Sequence, residues 1–376
     1  MDKLGRDIIL LGLISFFTDA SSEAIMPILP FFIYSIGGTG LIVGLIMGFG
    51  DGIASISKVF SGILSDKIGK RKIFISAGYS LSSISKLFFP LSIAWWHMFF
   101  LRSVERIGKG LRGAPRDALI GELYVKRRGE AYGIHRAMDT AGAVVGSFLA
   151  FFLFWFFHLN IKTILIIAAI ISFLALPPII FVRDVKFRAS KKKGKLSKNL
   201  RKFILISTIF YLGNFSYAFF LLRIGIEFEK AVAFAILLYA FFNVIYATSA
   251  SYFGKLSDIV GRKIIIFFGY TLFAFICFGF IFIKHSSIYS IIFSIFLFIL
   301  YGLMHAFIEG NQRALVSDLS EYKGTAQGYF QMATGMAVIP ANIIAGILWD
   351  IKPELTFLYG SMLAILSSIL LANYEA

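Results

Sequence analysis

Long apolar runs follow one another along almost the whole chain, and short polar segments separate them. Most runs reach about 20 residues, the length that an α-helix needs to cross a bilayer. The first run, 8–35, contains Pro27 and Pro30, so we expect a kinked spanning helix there. The second follows a tight turn at 37–40 and ends near 65. The other ten predicted spans cover about 73–92, 95–123, 130–158, 161–182, 203–228, 231–256, 264–284, 287–317, 325–350 and 355–373. The pattern predicts an all-α integral membrane protein with twelve transmembrane helices.

One short polar segment occurs twice, each time between two apolar runs. The first copy, GILSDKIGKRK, covers 62–72, and the second, GKLSDIVGRKI, covers 254–264. Four residues of the first copy, Gly62, Ser65, Asp66 and Gly69, match Gly254, Ser257, Asp258 and Gly261 of the second in register. Two basic residues follow in each copy, Lys70 and Arg71 in the first and Arg262 and Lys263 in the second. Since a repeat at half-chain spacing sets the architecture, we expect two pseudo-symmetric six-helix bundles.

The bundles are separated by a hydrophilic stretch. We predict an N-terminal bundle over 1–182, a basic cytoplasmic linker over 183–202 and a C-terminal bundle over 203–376. A smaller similarity supports the duplication: RGEAYG at 128–133 and KGTAQG at 323–328 each begin the fifth helix of a half.

The positive charge follows the predicted topology. The formal net charge is +16, and most Lys and Arg residues outside the helices fall in the linker and in loops on its side of the membrane. The predicted outer loops hold only Lys162, Lys230, Lys284 and Lys352. This asymmetry predicts that both termini are cytoplasmic. It also accounts for most of the charge without a nucleic-acid partner.

The composition argues against an enzyme. The chain is 58% hydrophobic and 17% aromatic, more apolar than soluble domains usually are. Its one cysteine, Cys277, excludes an internal disulfide, and the five histidines show no metal-ligand spacing. The sequence contains no P-loop and no visible nucleophile–base pair. We therefore expect no cofactor and no metal.

The repeated segment resembles the signature loop between helices 2 and 3 of the major facilitator superfamily. RSVERIGKG, which begins at Arg102, partly resembles the Arg motif in the fourth helix of that superfamily. The resemblance covers the whole chain and is closest to prokaryotic drug-efflux-type and uncharacterised permeases. It implies two bundles that rock around a central cavity, driven by an ion gradient. The fifth helix has Gly142 and Gly146 but lacks the Pro of the family's antiport motif.

Charged residues inside the predicted helices concentrate in the first half of the chain. Each one disfavours insertion by at least ~2.5–3.5 kcal/mol at a helix centre, so such residues are usually functional. At about 100° per residue, those of the fourth helix fall within a sector of roughly 140°. We expect this stripe to face the protein interior or a water-filled cavity, and its inner end to form ion pairs.

Three groups of candidate residues follow. Asp19 and Glu23, one turn apart in the first helix, are the leading proton-coupling candidates, because burial favours the neutral form of a carboxyl; Asp51 and Asp139 come next. The substrate-cavity candidates are Arg102, Glu105, Arg106, Lys109, Asn214, Asn243, Glu309, Asn311 and Gln331. The candidates for the gate and signature loops are Gly62, Asp66, Gly69, Arg71, Arg112, Arg116, Gly254, Asp258, Gly261, Arg262 and Arg313. The resemblance implies that Asp66 pairs with Arg112 or Arg116.

The sequence thus predicts a secondary active transporter of the plasma membrane, monomeric and surrounded by lipid. We expect proton-coupled efflux of a small drug-like or organic compound, with protons or another coupling ion as partner. Proton-coupled uptake of a small organic anion is the alternative within transport, because basic residues outnumber acidic ones on the fourth helix. A sensor that keeps the fold without transport is an alternative from another class.

Overall fold

The computed structural model describes residues 3–124, 127–184, 196–227, 231–283 and 287–374, and within these ranges it contains helices and no strand. Most of the predicted linker, 185–195, lies outside the described residues. The helices of the first half are α1 Lys3–Ile25, α2 Leu29–Ser35, α3 Gly40–Ile68, α4 Lys72–Phe88, α5 Trp95–Leu123, α6 Arg128–Trp155, α7 Ile161–Phe173 and α8 Leu176–Phe181, and a single 3-10 turn, Phe89–Leu91, extends α4.

The second half contains seven helices within the described residues. They are α9 Lys198–Gly213, α10 Ala218–Glu227, α11 Ala231–Val260, α12 Arg262–Ile281, α13 Ile288–Asp318, α14 Lys323–Ile351 and α15 Pro353–Ala372. Each predicted span corresponds to one helix or to two consecutive helices, and most boundaries agree within a few residues. The predicted all-α membrane fold is therefore confirmed.

Three predicted spans are interrupted. The breaks in the first and sixth spans lie next to prolines, Pro27 in one and Pro177 and Pro178 in the other. The break in the seventh span, between α9 and α10, was not predicted, because no proline marks it. There the Oδ1 atom of Asn342 accepts a hydrogen bond of 2.8 Å from the backbone N–H of Ser216, which satisfies a donor that a helix would otherwise pair.

Ten of the described spans are long and apolar enough to cross a membrane, with α7 and α8 counted together and α9 and α10 counted together. The other two predicted spans, the third and fourth, are also helical and correspond to α4 and α5. These two helices do not meet the length and hydropathy criteria for a membrane span, because α4 has only 17 residues and α5 carries the charged stripe.

The chain forms two compact units that do not follow the halves of the sequence strictly. The first comprises Met1–Gly37 and Ile53–Ser190, and the second comprises Gly38–Gly52 and Lys191–Ala376. The helix α3 is therefore shared between them. In the first unit α1 packs on α6 and α4 packs on α5, whereas in the second α11 packs on α13 and α12 packs on α15. The bundle boundaries at 182/183 and 202/203 stay a prediction.

Two glycines bring α1 and α6 into direct contact. A Cβ atom at Gly142 would overlap with the carbonyl oxygen of Phe16, and one at Gly146 with that of Ala20. The two backbones can approach this closely only because both positions lack a side chain. The contact sets the rotation of α6 relative to α1 and so determines which residues of the two helices face each other.

Glycines also allow the N-terminal part of α3 to pack closely against α14 within the second unit. A Cβ atom at Gly44 would overlap with the carbonyl oxygen of Asn342, and one at Gly346 would lie 2.5 Å from the carbonyl oxygen of Gly40. At the same end, the carboxylate of Asp350 accepts hydrogen bonds of 2.7 and 2.8 Å from the N–H groups of Gly40 and Leu41. This carboxylate caps the first turn of α3.

We expect Gly44→Ala to lower the thermal unfolding midpoint of the purified protein in detergent. The added methyl group meets backbone rather than a flexible side chain, and such overpacking costs about 1–3 kcal/mol. Gly310→Ala is the matched control, because a Cβ atom at that helical position meets no other atom within 4 Å. Equal midpoints for the two variants would show that α3 and α14 do not pack as described.

Candidate functional site

A pair of carboxyl groups lies between α1 and α6. The side chain of Asp19 is within hydrogen-bonding reach of that of Asp139. Ser15 donates a hydrogen bond of 2.6 Å to Asp139 Oδ1, and Arg136 lies 3.1 Å from the other oxygen, Oδ2. A hydrogen bond between two carboxyl groups requires a proton on one of them. The pair can therefore bind and release a proton.

The structure places the other two proton-coupling candidates differently. Glu23 follows Asp19 by one turn of α1 and is partly exposed. Asp51 belongs to the part of α3 that is grouped with the second unit, and it is partly exposed as well. The predicted neighbours Asp19 and Glu23 share a helix, but the carboxyl group within hydrogen-bonding reach of Asp19 comes from α6. Only packing between helices, which the sequence does not display, brings that partner into place.

An ionic network lies in the N-terminal half of α5. Arg102 Nη1 lies 2.8 Å from Glu105 Oε2, and Arg106 Nε lies 3.7 Å from the same oxygen. All three side chains are buried. A second contact of Arg102 is with the sulfur of Met26, 3.2 Å from Nη2. Buried charges are costly unless they are paired, and these ion pairs between residues of α5 itself offset that cost within the helix.

Lys109 differs from its neighbours on the stripe. Its side chain is exposed, although Asp19, Glu105 and Arg106 lie close enough to influence it electrostatically. Among the described residues no carboxylate lies within ion-pair distance of its ammonium group. Lys109 is therefore an exposed cation that has no ion-pair partner among the described residues.

The C-terminal half of α5 makes side-chain contacts with α4 and α1. The guanidinium of Arg112 donates a hydrogen bond of 2.7 Å to Ser82 and lies 4.5 Å from the ring centroid of Tyr79. Arg116 pairs with Asp117 at 3.0 Å and donates a hydrogen bond of 3.2 Å to Ser15. Because Ser15 also donates to Asp139, one hydroxyl connects the end of the stripe to the carboxyl pair.

In the second unit some cavity candidates are partly exposed and others are buried. Glu309 on α13 accepts a hydrogen bond of 2.5 Å from Tyr246 and pairs with Arg313 at 2.8 Å. Asn311 is buried and donates to the backbone of its own helix, and Asn243 is buried on α11. Of the two remaining amides, Asn214 is the C-cap residue of α9, and Gln331 is partly exposed on α14. The structure thus distributes the four amides over four helices.

A chain of hydrogen-bonded polar side chains runs through this unit. Tyr211 donates to Gln312 Oε1 at 3.1 Å, and the amide nitrogen of Gln312 donates to the hydroxyl of Tyr270 at 2.7 Å. The Tyr270 hydroxyl in turn lies 3.2 Å from Ser207. The sequence signal for this chain was a Gln and two Tyr within apolar runs, because polar groups that become buried require hydrogen-bond partners.

The two signature loops form matching ionic clusters. In the first, Arg71 pairs with Asp66, pairs with Glu122 at 2.8 Å, and donates to Ser65 at 2.7 Å. Just before it, Gly69 has a φ of 71°, a conformation that favours glycine.

The second cluster repeats the first element by element. Arg262 pairs with Asp258 at 2.9 Å, pairs with Asp318, and donates to Ser257 at 3.2 Å. Gly261 has a φ of 97°. Glu122 near the end of α5 and Asp318 at the end of α13 were missed, although an acidic residue at the end of the fourth helix of each half was visible in the sequence.

The expected partner of Asp66 was wrong. Asp66 pairs with Arg71 of its own loop, whereas Arg112 and Arg116 make the contacts with α4 and α1 described above. The reason is local, because the turn at Gly69 brings the chain back and places Arg71 beside the end of α3.

The structure also changes the register of the repeat after the glycine. Arg71 corresponds to Arg262, and Lys72 corresponds to Lys263. Lys72 Nζ donates to the carbonyls of Ile180 and Val182, both at 2.7 Å, at the end of α8. Lys263 Nζ donates to the carbonyls of Ala372 and Tyr374 at 2.9 and 2.6 Å, at the end of α15. The first loop therefore contains one additional residue, Lys70.

Long apolar helices with a carboxyl pair and an ionic network inside the membrane region are typical of membrane transporters. Comparison with known proteins agrees, since residues 11–342 match the model of the Major Facilitator Superfamily. The chain belongs to this family and is a multi-pass membrane transporter.

Two relatives show how far the similarity extends. An uncharacterised MFS-type transporter of Methanocaldococcus jannaschii is 44% identical over 385 residues, which cover 98% of this chain and 95% of that protein. The multi-drug resistance efflux pump PmrA of Streptococcus pneumoniae is 27% identical over 192 residues, which cover 50% of this chain and 47% of the pump.

Solved structures share the fold at low sequence identity. A crystal structure of the nucleoside transporter NupG matches with a TM-score of 0.79 and 13% identity, over 98% of this chain and 98% of that chain. A POT family transporter in complex with a thioalcohol conjugated peptide gives a TM-score of 0.82, with 12% identity over 98% and 96% of the two chains. At these identities the likeness concerns the fold alone.

Proposed function

We propose that this protein is a secondary active transporter that uses a proton gradient to export a small drug-like or organic compound by alternating access. The observation that carries the proposal is the carboxyl pair of Asp19 and Asp139. Loss of its proton leaves two negative charges in contact, and Arg136 and, through Ser15, Arg116 lie nearby to balance them. Proton binding therefore changes the charge and the hydrogen bonding between α1 and α6.

The direction of transport is inferred from the similarity to an efflux pump. PmrA is named as an efflux pump and resembles half of this chain, which favours export. Uptake of a small organic anion is the second candidate, and the exposed ammonium group of Lys109 favours it. A carboxylate or phosphate group on a solute is a suitable partner for a cation that lacks a neutralising carboxylate.

We further propose that the protein is a plasma-membrane monomer without enzymatic activity, with both termini in the cytoplasm. The excess of Lys and Arg in the predicted inner loops supports this orientation. The substrate-cavity candidates from Arg102 to Gln331 stay proposals, and Lys109 and Glu309 are the charged ones that the structure leaves at least partly open to solvent.

Flux measurements test the proposal directly. The full-length protein is reconstituted in liposomes that contain the pH indicator pyranine, and ethidium, a cationic dye, and benzoate, an organic anion, are added in turn. We expect one of the two probes to cause proton movement in wild-type vesicles. Neither probe should cause proton movement in vesicles that contain the Asp19→Asn/Asp139→Asn double variant. If a broad panel of solutes beyond these two produces no movement that differs between the two proteins, the proposal fails and a non-transporting sensor becomes the better interpretation.

Substitution of Lys109 separates the two candidate substrates. We expect Lys109→Met to reduce benzoate-dependent proton flux at least tenfold if the substrate is an anion, because the unneutralised charge would be lost, and to leave ethidium flux unchanged. Lys162→Met is the matched control, since this exposed lysine begins α7 on the predicted outer side. Equal benzoate flux in the two variants would remove Lys109 from the binding site.

A further inference from the structure

A fully buried lysine projects from α4 towards α1. Lys86 is 0% exposed, and its ammonium nitrogen lies 2.8 Å from the hydroxyl of Ser22, 3.0 Å from that of Ser21 and 3.5 Å from the carbonyl oxygen of Thr18. An ammonium group has three donors, and all three are directed at α1. The two hydroxyl acceptors, those of Ser21 and Ser22, lie between Asp19 and Glu23 in the sequence.

These partners are all neutral. Among the residues that the structure describes, no carboxylate lies within ion-pair distance of the Lys86 ammonium group. Burial of an ammonium group without a counter-ion is costly, and an apolar side chain of similar length would avoid that cost. A purely structural contact between α4 and α1 therefore does not explain why this position holds a lysine.

The charged groups around Lys86 suggest what its charge does. Asp19 on α1 and Glu105 on α5 are the acidic groups close enough to attract it, and Arg102 and Arg112 on α5 are the basic groups close enough to repel it. Glu105 is already paired with Arg102. Asp19 is thus the nearby acid whose charge can change, and Lys109 and Glu23 also lie close enough to act on it. Lys86 contacts the same helix at Ser21 and Ser22.

We propose that Lys86 is a positioning residue of the proton site, fixing α1 through Ser21 and Ser22 and stabilising the deprotonated form of the Asp19–Asp139 pair by its charge. The inference rests on the proposed function of that pair. In a low-dielectric interior the attraction between the ammonium group and the pair acts beyond contact distance. The hydrogen bonds hold the helix, and the charge favours proton release.

Infrared spectroscopy of the full-length protein in liposomes tests both parts without a known substrate. The absorption of a protonated carboxyl group is followed as the pH rises, and the difference between wild type and Asp19→Asn isolates the pair. We expect Lys86→Met and Lys86→Gln to retain this absorption to a pH about one unit higher, because an attractive charge has been removed. Lys86→Arg should behave as wild type.

The variants distinguish a structural role from the proposed one. Lys86→Gln keeps hydrogen-bond donors without the charge, and the Ser21→Ala/Ser22→Ala double variant keeps the charge without the hydroxyl acceptors. We expect the double variant to lower the thermal midpoint while leaving the carboxyl titration unchanged. If Lys86→Met does not insert, Lys86→Gln carries the test.

Two negative results have different meanings. If Lys86→Gln titrates as wild type while Asp19→Asn removes the absorption, the charge of Lys86 has no role and the proton site stands. If neither Asp19→Asn nor Asp139→Asn changes any carboxyl absorption, the proton site itself is refuted, and the role of Lys86 is refuted with it.

Discussion

Asp19→Asn and Asp139→Asn are each expected to abolish proton-driven accumulation of the transported solute while solute exchange down its own gradient continues. The two carboxyl groups lie within hydrogen-bonding reach of each other, so either substitution replaces a group that, under the proposed function, must gain and lose a proton. An amide keeps the shape and hydrogen-bonding capacity of the side chain but does not titrate. The loss of accumulation should reach at least about a hundredfold, whereas exchange should change by less than about threefold.

The measurement compares two assays on the same reconstituted vesicles. Accumulation is driven by an imposed pH gradient, and exchange is followed with labelled solute on both sides at equal pH. Glu130→Gln is the control, because Glu130 lies on the same helix as Asp139 but is exposed and pairs with Arg127. We expect it to retain both activities.

Glu23 gives a second comparison. The sequence placed Asp19 and Glu23 together as proton-coupling candidates, whereas the structure pairs Asp19 with Asp139. Glu23→Gln should therefore impair accumulation less than either aspartate variant. If both aspartate variants accumulate solute normally, the pair is not the proton site, and Asp51 becomes the next candidate.

The sequence predicted the helical framework well because bilayer thickness fixes the length of apolar runs. It also predicted the two signature loops, because Gly69 and Gly261 recur with the same neighbours. It did not predict the partner of Asp19. The rotation of α6 that brings Asp139 to α1 depends on the close approach at Gly142 and Gly146, and apolar periodicity does not specify the partner helix of a given glycine.

The position of Lys86 illustrates a second limit. A charge in an apolar run signals function or pairing, and the sequence shows it without showing its surroundings. That its donors meet Ser21 and Ser22 depends on the packing of α4 beside α1. Similarly, the partner of Asp66 depended on a backbone turn, and the additional residue Lys70 concealed the equivalence of Arg71 and Arg262.

We expect Arg71→Met to reduce transport at least tenfold and to lower the thermal midpoint more than Arg262→Met does. Arg71 is 3% exposed, and its partner Glu122 is 13% exposed, so removal of the guanidinium leaves a poorly hydrated carboxylate without its cation. Loss of a partner for a buried polar group costs about 1–3 kcal/mol, and more when that group is charged. Arg262 is 25% exposed and its partner Asp318 is 53% exposed, so water can replace the lost contacts there.

The paired variants separate a transport role of the first loop from simple stabilisation. Asp66→Asn keeps Arg71 and its pair with Glu122, and Asp66 is half exposed, so this change should leave the thermal midpoint nearly unaltered. If the loop acts only as a structural cap, Asp66→Asn will transport at the wild-type rate across all imposed gradients. If the cluster of Asp66, Arg71 and Glu122 must open and close during transport, Asp66→Asn will slow the rate without unfolding the protein. The equivalent change Asp258→Asn is the control. Asp258 is more exposed than Asp66 and pairs with an arginine that water also reaches. We therefore expect Asp258→Asn to slow transport less than Asp66→Asn does.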